Sequence, residues 1–308
     1  MRCARRRMVC FGDWRLKQGQ KMNIEPLTPG FGAEISGIDV SALSDADFEG
    51  LFNAFTDYGV VFLRDQPALD GDSHSALARR FGEIHVHPAA RGRAAEHPGF
   101  INMLVKEDTR VAAGNRWHSD VSCDEYPPQA SILQLQKIPP VGGDTLFADL
   151  RAAYDALSPG MKVYLDGLTA LHSGEASFRH LFKFNDASNR WPENDHPIVR
   201  KHLESGRPVL YVDREFTARI NELPAEEGRA VLAFLFHHSE RVDFQCRFRW
   251  SENAIAIWDN RMVLHHAIWD YWPAQRHGHR VSVVGEKPVA WRLGEDEAAE
   301  VSQRRLTL

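Results

Sequence analysis

Asp243-Phe-Gln-Cys-Arg-Phe-Arg-Trp250 is the stretch on which the fold reading turns. Phe244, Cys246, Phe248 and Trp250 alternate with Gln245, Arg247 and Arg249, so in an extended chain the two sets point to opposite sides. That is the pattern of a half-buried strand. Ser251-Glu-Asn253 supplies a turn, and Ala254–Trp258 returns as a second strand. Working outward, strand-like text recurs at Asn23–Leu27, Phe31–Val40, Val60–Arg64, Phe100–Val105, Ser131–Gln136, Pro197–His202, Pro208–Val212 and His279–Gly285. Helices are fewer. Ser44 caps one whose apolar positions Phe48, Leu51, Phe52 and Phe55 share a face. Others are expected over Ser75–Phe81 before Gly82, over Leu150–Leu157, after Ser158-Pro159, and over Pro224–His238. Residues Gly174–Asp195 lack periodicity and are read as a long lid-like insertion. Many short strands with helices near the start and in insertions predict an antiparallel sandwich or barrel with helical covers.

The composition narrows the function classes. With 308 residues, 43% of them hydrophobic, the chain can bury a large core without metal or disulfide staples. No apolar run reaches the roughly 20 residues of a membrane span. The four cysteines, Cys3, Cys10, Cys123 and Cys246, form no C-x-x-C pair, so reduced thiols and a cytoplasmic location are expected rather than a disulfide scaffold. The net charge of −5 is uneven: seven bases and one acid lie in residues 1–21, leaving that stretch at +6 and the rest at −11. Arg5-Arg6-Arg7 is followed by no apolar segment. Residues 1–21 are therefore read as a basic, disordered extension, and residues 22–308 as a single domain. An acidic body argues against a nucleic-acid partner, despite the aromatics interleaved with Arg247 and Arg249. Phosphate-binding glycine loops and the G-x-S-x-G elbow are missing from the text.

Fifteen histidines are many for this length. Trp117-His-Ser-Asp120 is the informative cluster, because in extended backbone His118 and Asp120 present an imidazole and a carboxylate to one side. With a distal histidine from the pair His265-His266, they make up a two-histidine, one-carboxylate set that leaves open positions on Fe(II). His85-Val-His87 is a rival H-x-H pair, but it lacks the later Glu and His that would complete it.

The chain resembles the taurine/2,4-dichlorophenoxyacetate dioxygenase family of Fe(II)- and 2-oxoglutarate-dependent enzymes. The matching text is Arg80–Pro88, Trp117–Val121, Gly142–Leu146, His196–Arg200, Ala256–Arg261, Asp270-Tyr271, Arg276, His279-Arg280 and Gly285–Pro288, in consistent order between about Met22 and Trp291. The resemblance implies a mainly β fold with helices, a double-stranded β-helix (jelly-roll) core, and Fe(II), 2-oxoglutarate and O₂ as metal and co-substrates. It makes His118, Asp120 and His265 the iron ligands, and it assigns Thr145 and Arg276 to 2-oxoglutarate. A planar guanidinium suits a carboxylate through two parallel hydrogen bonds.

The resemblance also puts His87 and Arg280 at the anionic head of a small organic substrate, with Phe178 and Phe216 as aromatic walls. The chain departs from the taurine pattern at Gly114, Ala90 and Cys123, where Asn, Tyr and Phe are expected, so the pocket is opened and its discrimination altered. Taurine or a related sulfonate is the leading substrate class, an aryloxyalkanoate or other carboxylate the alternative, and a non-enzymatic jelly-roll binding module the remote one. Neither a membrane nor a nucleic acid is expected as partner, and a homo-oligomer is allowed.

Overall fold

The alternation at the opening strand is realised in burial: Phe244, Cys246, Phe248 and Trp250 are buried while Arg247 and Arg249 are exposed. The structure, a computed structural model, describes residues 22–90, 96–109, 114–182 and 191–294. The basic stretch 1–21 and residues 183–190 of the expected lid lie outside the described residues.

The first half of the chain runs β1 (Asn23–Pro26), β2 (Ala33–Ser36), α1 (Asp45–Tyr58), β3 (Val60–Leu63), α2 (Gly71–Phe81), β4 (Ile84–His85), β5 (Phe100–Val105), β6 (Pro128–Lys137) and β7 (Thr145–Asp149). It continues through α3 (Leu150–Asp155), α4 (Pro159–Leu165), β8 (Thr169–Ser173), α5 (Glu175–Phe182), β9 (Glu193–Pro197), β10 (Val199–Lys201), β11 (Pro208–Leu210) and β12 (Thr217–Ile220). Last come α6 (Ala225–Ser239), β13 (Gln245–Phe248), β14 (Ile255–Asp259), β15 (Val263–Ala267) and β16 (Arg276–Val284). The chain is thus mainly β with helices.

The large sheet has the order β1-β2-β3-β14-β6-β16-β4, with β5 also on β16; a smaller one has the order β13-β7-β15. Their facing sides share one apolar core, in which Phe62 of β3 stacks on Phe248 of β13 at 4.1 Å and meets Phe147 of β7 edge-on at 5.4 Å. The opposite side of the large sheet is covered by α1 and α2: Val61, Ile132, Ile257 and Val281 pack with Leu51, Phe55, Leu77 and Phe81. Burial on both faces explains why β3 and β14 read as continuous apolar runs rather than alternating ones. Ser44 caps α1 by accepting from Asp47 N–H, and Asp70 caps α2 the same way from Ser73, four residues ahead of the expected start.

The expected irregular insertion at 174–195 is corrected at both of its ends. Its beginning is α5, whose Glu175 N–H is bonded by the Ser173 hydroxyl at 3.2 Å. Its end is β9, hydrogen-bonded to β8 from Thr169↔Pro197 to Ser173↔Glu193. The helix is a short one, and Glu193-Asn-Asp-His is poor strand text held by cross-strand pairing rather than by propensity. Among the described residues no helix is long and apolar enough to cross a membrane.

Candidate active site

Backbone pairing sets two histidines face to face. His118 N–H donates to His265 O at 3.1 Å and His265 N–H donates to His118 O at 2.9 Å, an isolated antiparallel bridge beside β15. The two rings lie 4.0 Å apart between centroids. Asp120, two residues on, turns to the same side, with Oδ1 3.7 Å from His118 Nε2 and 3.9 Å from His265 Nε2. The three ligand atoms lie within 4.8 Å of one another, and all three side chains are buried. Immediately afterwards Val121 takes φ 47°, a conformation that costs a β-branched residue on the order of 1–3 kcal/mol and that turns the chain away from the site.

Protonation suits a cation. His118 Nδ1–H donates to Arg116 O at 2.8 Å, which leaves the lone pair on Nε2, the nitrogen facing Asp120. Burial, then the neighbouring His118, push the pKa of His265 well below its ordinary value, so it stands as a neutral imidazole. Burial alone would raise the Asp120 carboxyl, but Arg280, His265 and His118 outweigh it and hold it well below the usual carboxylate range. Arg280 NH1 donates to Asp120 Oδ1 at 2.5 Å, and Ser131 Oγ–H donates to Oδ2 at 2.7 Å. Two imidazoles and one carboxylate oxygen, gathered in a buried site, are the donor set of a divalent transition metal.

Strand alternation separates His265 from its neighbour. His265 pairs with Phe147 and His266 with Leu146 of β7. The first side chain faces the core, while the second is half-buried and meets the Trp117 ring edge-on at 5.5 Å.

Thr145 and Arg276 come together on a third residue. Trp250 Nε1–H donates to Thr145 Oγ1 at 3.0 Å, and the Arg276 guanidinium lies 5.7 Å from the Trp250 ring centre. Arg276 is only 5% exposed, yet its Nε and one terminal nitrogen have no hydrogen-bond partner among the described residues. Burial lowers its pKa, and among the described residues no carboxylate offsets this; Tyr271 pulls in the other direction. A buried cation with unmatched N–H groups fits an anionic ligand, as the distal carboxylate of 2-oxoglutarate would be.

Of the residues expected at a substrate, His87 and Phe178 meet ring to ring at 5.2 Å, and Phe178 meets Phe216 at 6.2 Å. Both phenylalanines are buried in one cluster with Val121 and Cys123, directly after Asp120. Arg280 is on the Asp120 side of the site, and its Nε has no partner among the described residues. Trp250 and Ser131 were not foreseen as site residues. The legible signal for Ser131 was a hydroxyl set within the apolar strand Ala130–Leu133, where a fully buried polar group requires a partner.

Comparison with known proteins agrees with this geometry. Residues 23–282 match the family described as taurine catabolism dioxygenase TauD, TfdA family. An α-ketoglutarate-dependent sulfonate dioxygenase of Saccharomyces cerevisiae is 33% identical over 281 residues, 87% of this chain and 68% of the relative. An α-ketoglutarate-dependent 2,4-dichlorophenoxyacetate dioxygenase of Cupriavidus pinatubonensis is 35% identical over 261 residues, 78% and 90% of the two chains. The crystal structure of a putative α-ketoglutarate-dependent taurine dioxygenase from Burkholderia xenovorans superposes with a TM-score of 0.76 at 32% identity, covering 88% of this chain and 95% of that one. With the family match spanning nearly the whole described chain and the buried His-Asp-His group inside it, the chain belongs to the TauD/TfdA dioxygenase family.

Proposed function

We propose that this chain is a cytoplasmic Fe(II)- and 2-oxoglutarate-dependent dioxygenase that hydroxylates a small organic anion, taurine or a related sulfonate first, with release of succinate and CO₂. The observation that carries the reading is the buried Arg276 guanidinium, unmatched among the described residues, against Trp250, which shares one apolar cluster with the Phe147 and Trp258 rings that meet His265. The paired sheets are read as a double-stranded β-helix (jelly-roll) core with 174–195 as its lid. The two cysteines described, Cys123 and Cys246, are buried and form no disulfide among the described residues, which suits a reducing compartment.

His118, Asp120 and His265 would hold the iron. Iron bound there supplies the redox chemistry that couples O₂ and 2-oxoglutarate to oxidation of a substrate C–H bond. The chain's own groups do the rest. The Arg116 carbonyl fixes the His118 tautomer. Arg276 and Thr145 orient the distal carboxylate of 2-oxoglutarate, a role in which a bidentate guanidinium outperforms a lysine. Arg280 and His87 provide positive charge and hydrogen bonds for the substrate's anionic head, and Phe178 and Phe216 exclude water from its carbon skeleton.

One observation favours the aryloxyalkanoate reading as the second. A Cβ at Gly114 would stand 3.5 Å from His118 Cε1 and 3.7 Å from the Ala267 side chain, so its lack leaves room directly beside the metal group for a wider arm. One assay separates the two: protein, Fe(II), ascorbate and 2-oxoglutarate are incubated with a panel of organic anions and succinate is measured. Sulfite release marks a sulfonate substrate and phenol release an aryloxyalkanoate. Lack of substrate-dependent succinate with any anion would contradict both. His118→Ala and Asp120→Ala should each abolish turnover; near-normal succinate from either would remove that residue from the ligand set.

A further inference from the structure

The segment Ile257-Trp-Asp-Asn-Arg261 supplies none of the groups given a role above, yet it abuts the site. Trp258 is buried on β14 and Asn260 at the turn between β14 and β15. The Asn260 side chain lies between three groups: Asp120 N–H at 3.2 Å, Trp258 Nε1–H at 2.9 Å and Ser131 Oγ at 2.9 Å. The first two can only donate, so the amide oxygen must face them and the amide nitrogen must face Ser131. Ser131 has a single hydroxyl proton. Its oxygen accepts from Asn260, and the Asp120 carboxylate can only accept, so that proton goes to Asp120 Oδ2 at 2.7 Å. Ser282 Oγ, 2.9 Å from Ser131 Oγ, is then left as a second donor to the same oxygen.

The donors and acceptors therefore close into a ring with one consistent direction: Asp120 N–H to Asn260 Oδ1, Asn260 Nδ2–H to Ser131 Oγ, and Ser131 O–H to Asp120 Oδ2. The ring grips Asp120 by its backbone and by one carboxylate oxygen at once. The other oxygen, Oδ1, is the one turned to His118 and His265, and it also accepts from Arg280 NH1. A second tie comes from Ser119, next to Asp120, whose hydroxyl donates to Asn260 O at 2.6 Å. Asn260 is itself fixed: Asp259 Oδ1 accepts from Arg261 N–H, and the Arg261 guanidinium grips the same carboxylate at 2.8 and 2.6 Å.

We infer that Asn260 and Ser131 are positioning residues that lock the Asp120 carboxylate, holding Oδ2 away so that Oδ1 alone is offered between the two imidazoles. The inference rests on the reading of His118, Asp120 and His265 as the metal ligands. It absorbs the Trp-Asp-Asn-Arg segment: the indole orients the amide, the amide orients the hydroxyl, and the Asp259–Arg261 pair holds the turn that carries them. Hydrogen-bonded partners of metal ligands typically set affinity by about 10–100-fold.

The test is Co(II) affinity, measured by competition with a chromophoric chelator at a temperature where each metal-free protein is folded, together with the Co(II) absorption spectrum. Wild type is expected to take up one equivalent and His118→Ala none. Ser131→Ala should bind about 10–100-fold more weakly, with an altered spectrum, because the freed carboxylate can rotate or engage through both oxygens. Ser131→Thr, which keeps the hydroxyl, should stay within about threefold of wild type. Ser282→Ala, which removes the second donor to the same serine but no direct bond to Asp120, should do likewise. If Ser131→Ala does not fold, Asn260→Asp decides instead: it has the same size but replaces the donor to Ser131 with an acceptor, and it should lose affinity to the same extent. Wild-type affinity and spectrum in the deciding variant would overturn the lock while leaving the metal site intact. Equal losses in Ser131→Ala, Ser131→Thr and Ser282→Ala would also overturn it, by reducing the effect to packing. A wild-type protein that takes up no Co(II) would overturn the metal-site reading, and the lock with it.

Discussion

Arg261 and Arg276 are both buried, at 2% and 5% exposure, and their surroundings are opposite. Arg261 at the β14–β15 turn is matched by its own chain: Asp259 takes two of its bonds and Glu204 another at 2.6 Å, with Glu286 at 3.4 Å. Burial works to lower its pKa, but Asp259, Glu204 and Glu286 reverse this and raise it above the ordinary arginine value. Arg276 at the start of β16 has an aromatic neighbour and, among the described residues, no carboxylate and no partner for its Nε and one terminal nitrogen. The difference separates a guanidinium that holds the fold from one that awaits an anion. Unmatched buried charge is not retained for stability, since taking it out of water is a penalty that only a partner offsets.

The largest expected effect lies on the matched side. Asp259→Ala leaves Arg261 and the His202 imidazole, 3.0 Å away, without their common acceptor, and should destabilise the fold by about 3–5 kcal/mol in urea unfolding. A loss below about 1 kcal/mol would break the contrast at its structural end. On the unmatched side, 2-oxoglutarate at a hundred times its dissociation constant should stabilise metal-loaded wild type by about 2.7 kcal/mol, read as a raised melting temperature. Arg276→Leu should abolish that shift, and Arg276→Lys should not restore it, because a point charge cannot reproduce the paired bonds. Without ligand, Arg276→Leu should melt at or above the wild-type temperature, since an apolar side chain removes an unpaired buried charge.

How much of this was legible in the sequence differs between elements for physical reasons. The Gln245–Phe248 strand was readable because one face is wet, and alternation records it. The strands β7, β8, β12 and β15 were not called: they are short, and β7 is buried almost throughout, so composition carries little period. His118 and Asp120 are two apart on one strand-like segment and declared themselves. His265 lies 145 residues from Asp120 in sequence but beside it in space, and choosing it over His266 needed the resemblance until the β7 register placed His265 inward. The alternation puts Trp250 on the apolar face that is buried, but its bond to Thr145 depends on how β13 and β7 register, which no local pattern states. The Asn260 ring was invisible for the same reason: its members come from three separated segments and meet only through the β14–β6 pairing.

The smallest effect tests buried groups remote from either arginine. His74 and His196 are each pushed down to about 4 from an ordinary 6.5, chiefly by burial. The unfolded chain takes up these protons near pH 6.5, whereas the folded protein resists until about pH 4. Stability present above that window should therefore fall as the pH drops through it. His74→Phe should flatten the pH dependence of the urea midpoint between those limits; an unchanged slope would remove His74 from the account.

The contrast between the two arginines is tested most directly by calorimetric titration of 2-oxoglutarate into metal-loaded wild type and Arg276→Leu, with metal-loaded Arg276→Lys alongside. The account predicts one site in wild type and a loss of about 2–4 kcal/mol in the leucine variant, roughly 30- to 1,000-fold in affinity. The lysine variant should remain closer to leucine than to wild type. Equal affinity in wild type and Arg276→Leu would contradict the claim that this unmatched guanidinium is the co-substrate's receptor.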